Sequence, residues 1–255
     1  MSRAAGETGV QSALSTLRIL EEVARRQPVG VSELARVAEM PKSSVQRYLA
    51  TLQQAGWLRI VDPERARWGL TAKPIGIGLR AAGEGGLREA ALPAMRALSR
   101  ETDETVHLAM RDENSLVIVA RRDGTQTVRT YVELGTVAPI HGTASGLSIL
   151  AKLPDAEVEA VIAAGLASHT DSTIVDADAL RAEVAATRDR GYAVNAASWW
   201  RPHVAAIGAA ITDSIGRPLA AFALSIPTVR FDSADAPRLG ALAVAAADQV
   251  SDLLD

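Results

Sequence analysis

The sequence predicts an α+β protein of two domains, because two patterns follow one another along its 255 residues. Residues 1–72 contain three helical patterns and then a β-hairpin pattern, whereas residues 88–255 alternate strand and helix patterns. Strands in hairpins with helices around them favour a largely antiparallel sheet. Residues 73–87 contain a helical pattern ending in Gly83-Glu84-Gly85-Gly86, so we predict a linker helix and the hinge between the domains there.

The first domain begins with an amphipathic helix, since apolar residues recur at steps of three and four from Val10 to Arg26. Ser32 is placed to cap a short second helix. Met40-Pro41 turns the chain into a third helix, predicted through Ser43 to Ala55, because proline suits the first positions of a helix. Gly56 follows as a residue that readily takes the positive φ of a helix end.

Short β patterns and further helical patterns fill the rest of the chain. Residues 57–61 and 66–70 are predicted strands, joined by the turn Asp62-Pro63-Glu64-Arg65. The predicted strands of the second domain span 105–110, 116–120, 204–212 and 219–225. The predicted helices after the hairpin span 73–82, 87–101, 143–152, 155–164, 177–190 and 233–254.

Charge is divided unevenly between the two parts of the chain. Residues 1–80 hold 12 Lys and Arg against 7 Asp and Glu, and residues 81–255 hold 15 against 23. A basic N-terminal part and an acidic C-terminal part indicate that only the N-terminal part contacts a polyanion. Random variation in composition is the alternative explanation. The absence of cysteine excludes disulfides and cysteine-ligated metal sites.

Neither a signal peptide nor a transmembrane helix is predicted. Residues 1–7 lack a continuous apolar stretch, and no window is long and uncharged enough to span a bilayer. We therefore expect a cytoplasmic protein that does not bind a membrane.

Three helices and a hairpin within about 60 residues is the order of a winged helix-turn-helix, whose third helix lies in the DNA major groove. The spacing of Val45, Leu49 and Leu52 places them on the inward face of that helix. The residues left to face the bases are Ser43, Ser44, Gln46 and Arg47. Glutamine pairs with adenine and arginine with guanine, so this face is suited to reading sequence. The alternative is an ordinary solvated helix face.

Further residues around this helix are expected to contact the DNA backbone. Lys42 and Tyr48 lie beside the reading face, and the wing supplies cations that can meet phosphate or the minor groove. The full predicted DNA-binding set is Ser32, Lys42, Ser43, Ser44, Gln46, Arg47, Tyr48, Arg59, Arg65 and Arg67.

The chain resembles the IclR-type bacterial transcriptional regulators over nearly its whole length. The matching segments, in order, are 10–14, 17–20, 34–35, 41–49, 104–109, 139–146 and 190–194. The resemblance implies a winged helix-turn-helix, a linker helix and a GAF-like domain that binds a small-molecule effector. It also implies a homodimer or homotetramer on a double-stranded DNA operator.

The resemblance also implies where the effector binds. The corresponding positions here are Ala144, Ser145, Asn195, Ala206, Ala223 and Ser225, to which we add Trp199. Backbone N–H groups of the turn 143–146 could receive a carboxylate. Trp199 and Trp200 could stack on an aromatic ligand whose carboxylate pairs with Arg201 or His203. The alternative is that one tryptophan packs in the core and the other at a subunit interface.

The expected function is therefore transcriptional regulation controlled by an effector, a carboxylic acid from a catabolic pathway, without catalytic residues, a cofactor or a metal. Gly142-Thr143-Ala144-Ser145-Gly146 is not a nucleophile elbow, because its serine stands fourth rather than third. The four histidines show no close ligand spacing. The alternative function is a ligand-binding or enzymatic C-terminal domain whose N-terminal module serves only for dimerisation.

Overall fold

A computed structural model describes residues 9–82 and 86–254 of the chain. The chain divides into two compact units, residues 1–84 and 85–255. The predicted domain boundary at 73–87 contains this division, although the hinge residues 83–85 lie outside the described residues.

The first unit contains three helices, a hairpin and a fourth helix, as predicted. Its elements are α1 (Gln11–Arg26), α2 (Val31–Val37), α3 (Lys42–Gln54), β1 (Leu58–Asp62), β2 (Arg67–Leu70) and α4 (Lys73–Ala82). The apolar stripes of the three helices meet in one core that includes Ile19, Leu34 and Leu49, each fully buried. Burial of these stripes supplies the main stabilisation of such short helices.

The hairpin is fixed to the helices by backbone and side-chain hydrogen bonds. Val29, between α1 and α2, exchanges both backbone hydrogen bonds with Trp68 of β2. The turn between the strands is closed by the carboxylate of Asp62, which accepts a hydrogen bond from the backbone N–H of Arg65 at 3.1 Å. Paired backbone hydrogen bonds therefore join the wing to the segment between α1 and α2.

One predicted helix start is wrong. Ser32 does not cap α2, because the helix begins one residue earlier at Val31 and its N-cap is Gly30. Ser32 instead lies exposed in the first turn. Gly56 ends α3 with the predicted positive φ, 76°.

The second unit is a six-stranded sheet with helices on both faces. Its elements are α5 (Leu87–Thr102), β3 (Thr105–Asp112), β4 (Ser115–Arg122), β5 (Val137–Pro139), α6 (Ala144–Lys152), α7 (Asp155–Ala163), α8 (Ala177–Arg190), β6 (Ala193–Asn195), β7 (Val204–Thr212), β8 (Pro218–Pro227) and α9 (Ala236–Ser251). The strand order is β5-β4-β3-β8-β7-β6, and every neighbouring pair is antiparallel. The prediction of a largely antiparallel α+β domain is therefore confirmed.

The two faces of the sheet carry separate cores. Helices α5 and α9 pack on one face, against a cluster that includes Met95, Leu108 and Phe222. Helix α6 packs on the other face, where Leu147 and Leu150 are fully buried. The short edge strands β5 and β6 were not among the predicted strands, because three residues are too few for a clear alternating pattern.

Helix α6 lies unusually close to the sheet because the strands beneath it carry very small side chains. A Cβ atom on Gly208 of β7 would lie 2.2 Å from the backbone oxygen of Ala144, the first residue of α6. A Cβ atom on Gly146 would lie 1.8 Å from the backbone oxygen of Ile140. Glycine at 208 therefore lets the first turn of α6 approach the sheet, and glycine at 146 lets the loop before α6 pass close to the helix.

Substitution of Gly208 by alanine tests this close contact. We expect Gly208→Ala to lower the free energy of unfolding by about 1–3 kcal/mol, since backbone rather than a flexible side chain must move. The matched control is Gly76→Ala in α4, where a Cβ atom meets no atom within 4 Å and alanine favours the helix. Urea denaturation followed by circular dichroism measures both, and a Gly208→Ala protein as stable as the control would contradict the prediction.

Candidate functional site

Helix α3 presents the two faces that its sequence predicts. Val45, Leu49 and Leu52 are buried against the core of the first unit. On the opposite side Lys42, Ser43, Gln46 and Arg47 are exposed, and Ser44 and Tyr48 are half-buried. The polar residues expected to face bases are therefore accessible together on one helix face.

The N-terminus of α3 is suited to an anion. Its N-cap is Pro41, whose side chain offers no capping oxygen, and its first turn contains no acidic residue. The free N–H groups and the helix dipole favour a negative group at this end. Lys42 adds a positive charge at the same place.

The wing arginines differ in their surroundings. Arg59 and Arg65 are exposed. Arg67 is half-buried, and its Nη1 lies 3.2 Å from Oε2 of Glu33 on α2. Arg67 therefore holds the wing against α2, a role that its position in a β pattern did not reveal.

The second unit contains a cavity between the sheet and the first turn of α6, which we call the central cavity. Its volume is about 60 Å³, enough for a small ligand or a few water molecules. The lining residues are His107, Leu116, Ile118, Thr130, Tyr131, Val132, Ala138, Thr143, Ala144, Ser145, Asn195, Trp200, Arg201, Val204, Ala206, Ala223 and Ser225.

Six of the seven predicted effector-binding residues line this cavity. The exception is Trp199, which is 8% exposed and packs in the core on this face of the sheet, whereas Trp200 lies in the cavity wall. The backbone oxygen of Trp199 accepts a hydrogen bond of 2.5 Å from Oγ1 of Thr173, which anchors this loop. Trp200, rather than the predicted Trp199, is the tryptophan that lies in the cavity wall.

Asn195 shapes the same loop. Its Oδ1 accepts hydrogen bonds from the backbone N–H groups of Ala197 at 3.2 Å and Trp199 at 3.3 Å. The side-chain oxygen of Asn195 is therefore committed to the loop, and its NH2 group remains as a donor on this wall of the cavity.

The central cavity is electropositive. Arg201 is the one charged side chain among the described residues that line it, and none of them is Asp or Glu. The Arg201 guanidinium stacks on Trp200, with its carbon 4.5 Å from the ring centroid. Of the two cations predicted to pair with a ligand carboxylate, Arg201 lines the cavity, whereas His203 is exposed and is not among the lining residues.

His107 lines the cavity, although the sequence analysis did not assign it to the site. A single histidine in a β pattern is usually a packed core residue, and His107 is indeed 2% exposed, with Nδ1 3.0 Å from Oγ of Ser225. Burial lowers its pKa to about 4, and the nearby positive charge of Arg121 acts in the same direction. The ring is therefore neutral at pH 7.

The first turn of α6 closes the cavity on another side. Thr143 is its N-cap, and Oγ1 of Thr143 accepts a hydrogen bond from the backbone N–H of Gly146 at 3.0 Å. The N–H groups of Ala144 and Ser145 precede the first hydrogen-bonded turn and belong to cavity-lining residues. A helix N-terminus of this kind binds anions.

Family models match both units of the chain. The model described as IclR helix-turn-helix domain matches residues 12–61, and the model described as bacterial transcriptional regulator IclR C-terminal matches residues 80–252. No helix in the described ranges has the length and apolarity needed to cross a membrane.

Curated relatives and solved structures extend over the same range. The HTH-type transcriptional regulator KipR of Bacillus subtilis is 33% identical over 242 residues, covering 94% of this chain and 96% of the relative. The transcriptional repressor IclR of Escherichia coli is 30% identical over 249 residues, covering 95% and 89%.

Among solved structures, the Thermotoga maritima IclR matches with a TM-score of 0.78 at 26% identity, over 95% of this chain and 98% of that one. An IclR homolog from Microbacterium hydrocarbonoxydans, solved in complex with 4-hydroxybenzoate, shares the fold with a TM-score of 0.78 at 22% identity, over 96% and 99%. The predicted fold and the predicted resemblance are confirmed.

The depressed pKa of His107 makes the stability of the protein depend on pH. The unfolded chain binds a proton at the imidazole near pH 6.5, whereas the folded chain does so only near pH 4. Acidification from pH 6.5 towards pH 4 therefore favours unfolding, and above pH 6.5 the effect vanishes. We expect wild type to lose roughly 1–2 kcal/mol more than His107→Asn between pH 7 and pH 5.

His107→Asn is the matched variant because asparagine retains a hydrogen-bonding group towards Ser225 and does not titrate. Denaturant unfolding at pH 7 and at pH 5 gives the difference between the two proteins. Parallel losses of stability in wild type and variant would show that the imidazole does not titrate as stated.

Proposed function

Because this chain belongs to the IclR family of bacterial transcriptional regulators, we infer that it regulates transcription in response to a small molecule. It is a DNA-binding transcriptional regulator with an N-terminal helix-turn-helix domain and a C-terminal effector-binding domain. We propose that a carboxylic acid bound in the central cavity changes the affinity of α3 for an operator. The observation that carries the proposal is a cavity with a cation, Arg201, and no carboxylate among its described lining residues.

For operator reading, we propose that Gln46 and Arg47 contact base edges and that Ser43 and Ser44 lie beside them at the start of α3. The exposure of this face and the lack of acidic residues in its first turn support the proposal. Phosphate contacts are proposed for Ser32, Lys42, Tyr48, Arg59 and Arg65. The ion pair of Arg67 with Glu33 supports a positioning role for this arginine.

For the effector, we propose an acid with an apolar body, aromatic or aliphatic. Its carboxylate would meet the N–H groups at the start of α6, as anions do at helix N-termini. Its apolar part would contact Leu116, Ile118 and the ring of Trp200, which line the same cavity. The predominance of apolar side chains in the cavity wall supports a ligand with an apolar body and a charged end.

Coupling between the two sites follows from linkage. If the effector changes the affinity for DNA by some factor, then DNA changes the affinity for the effector by the same factor. We propose that the protein acts as a homodimer or homotetramer in the cytoplasm, since two copies would place two reading helices on two half-sites of an operator.

Arg47 is the position that tests base reading. We expect Arg47→Ala to relax the preference at one base pair by about 1–3 kcal/mol, because a bidentate contact to guanine is lost. Lys42→Ala should instead weaken binding to all sequences alike. Gln53→Ala, exposed at the far end of α3, is the control. Selection from a randomised operator library measures the preference, and an unchanged preference in Arg47→Ala would make Arg47 a phosphate contact.

A mobility-shift titration on DNA upstream of the protein's own gene tests regulation. The affinity should fall by orders of magnitude between about 50 and 200 mM salt, and a carboxylic acid should change it at fixed salt. The panel contains benzoate, butyrate and 4-hydroxybenzoate, the compound bound to the Microbacterium relative. Benzamide serves as the uncharged control for benzoate.

Arg201→Met should reduce the response to an active acid and leave binding of DNA alone unchanged. DNA affinity that is insensitive to salt would contradict the phosphate contacts. Equal acid affinity with and without DNA would contradict the coupling and favour a binding domain that merely carries a dimerisation module.

A further inference from the structure

Two buried hydrogen-bond donors in the wall of the central cavity have no acceptor. Nε2 of His107 and Nε of Arg201 are shielded from solvent and have no hydrogen-bond partner within the described parts of the chain. Both residues line the cavity. A buried donor without an acceptor costs about 1–3 kcal/mol, so a ligand that supplies acceptors at this place recovers that free energy.

The hydrogen bond to Ser225 decides which nitrogen of His107 carries the proton. Ser225 is 7% exposed, and within the described residues its hydroxyl has one hydrogen bond, to Nδ1 of His107. The neighbouring Thr130 hydroxyl donates to the backbone oxygen of Ser225 and leaves the Ser225 hydroxyl free. A buried hydroxyl hydrogen needs an acceptor, so Oγ donates to Nδ1 and the neutral ring carries its hydrogen on Nε2.

The start of α6 is a second set of donors in the same cavity, at a different position over the sheet. His107 on β3 is paired with Ala223 on β8, which is paired with Gly208 on β7 beneath Ala144. Two strand spacings, roughly 10 Å, therefore separate the backbone of His107 from the strand under the α6 N-terminus. A ligand that pairs with both sets of donors therefore needs an acceptor group at each end.

We infer that the effector carries two acceptor groups, a carboxylate at the start of α6 and a second carboxylate or carbonyl bound by His107 and Arg201. The inference rests on the proposed effector-binding function of this cavity. It assigns His107 as a specificity-determining residue that donates Nε2–H to the ligand. A hydroxyl, methyl or ammonium group at this end leaves the donors less well paired, and an ammonium group is repelled by Arg201.

Acids matched in length and differing at one end test the inference. Isothermal titration calorimetry on the full chain compares malonate with propionate, succinate with butyrate and glutarate with pentanoate, with 4-aminobutyrate as the cationic counterpart of succinate. We expect one diacid to bind at least tenfold more tightly than its monoacid, and 4-aminobutyrate to bind more weakly than butyrate.

Three variants test whether His107 and Arg201 cause the tighter binding of diacids. His107→Gln retains an N–H donor at the cavity end of the side chain, whereas His107→Phe retains a ring without a donor. Arg201→Met retains length without charge. We expect the ratio of diacid to monoacid affinity to fall to about one in His107→Phe and in Arg201→Met and to be largely retained in His107→Gln. Monoacid affinity should change less than twofold in the two His107 variants.

The outcomes separate this inference from the proposed function. Monoacids binding as tightly as diacids, or an affinity ratio unchanged in both His107→Phe and Arg201→Met, would overturn the inference while leaving control by an acid in place. Binding of none of the acids would overturn it as well. Preferential diacid binding with no effect on DNA affinity would support the inference and overturn effector control.

Discussion

The central cavity of the second unit depends on how closely the first turn of α6 approaches the sheet. With glycine at position 208, the backbone of Ala144 lies where a side chain would otherwise stand. The N–H groups of that turn consequently reach the wall of the central cavity, together with side chains from β3, β8 and the loop before β7. A larger residue at 208 would lift the helix, and the donors would no longer share one small volume.

The chain uses the same physical device twice, in two different environments. At the start of α3 a helix N-terminus and Lys42 face solvent, where salt screens their attraction for an anion. In the central cavity the start of α6, Nε2 of His107 and Nε of Arg201 are shielded from solvent, so screening is weak and unpaired donors are costly. The first arrangement favours binding of a polyanion, with an affinity that depends on salt. The second favours binding of a small ligand that is recognised by hydrogen bonds.

The local sequence pattern predicted the structure correctly where the residues of a single helix, turn or hairpin determine it. The buried face of α3, the turn at Asp62 and the two hairpins β3–β4 and β7–β8 follow from periodicity and turn residues. The pattern did not predict contacts that depend on a residue distant in the sequence. Glu33 pairs with Arg67, Thr173 holds the backbone of Trp199, and Ser225 lies in hydrogen-bond contact with Nδ1 of His107.

The sequence by itself therefore determined the order of helices and strands, the amphipathic reading helix, the uneven charge and, through resemblance, six residues of the cavity wall. The tertiary structure alone decided that His107 shares that wall, and that Arg201 rather than His203 lies there with it. The physical reason is distance along the chain: periodicity reports which face of an element is buried, whereas a cavity joins residues from strands and loops that only folding brings together.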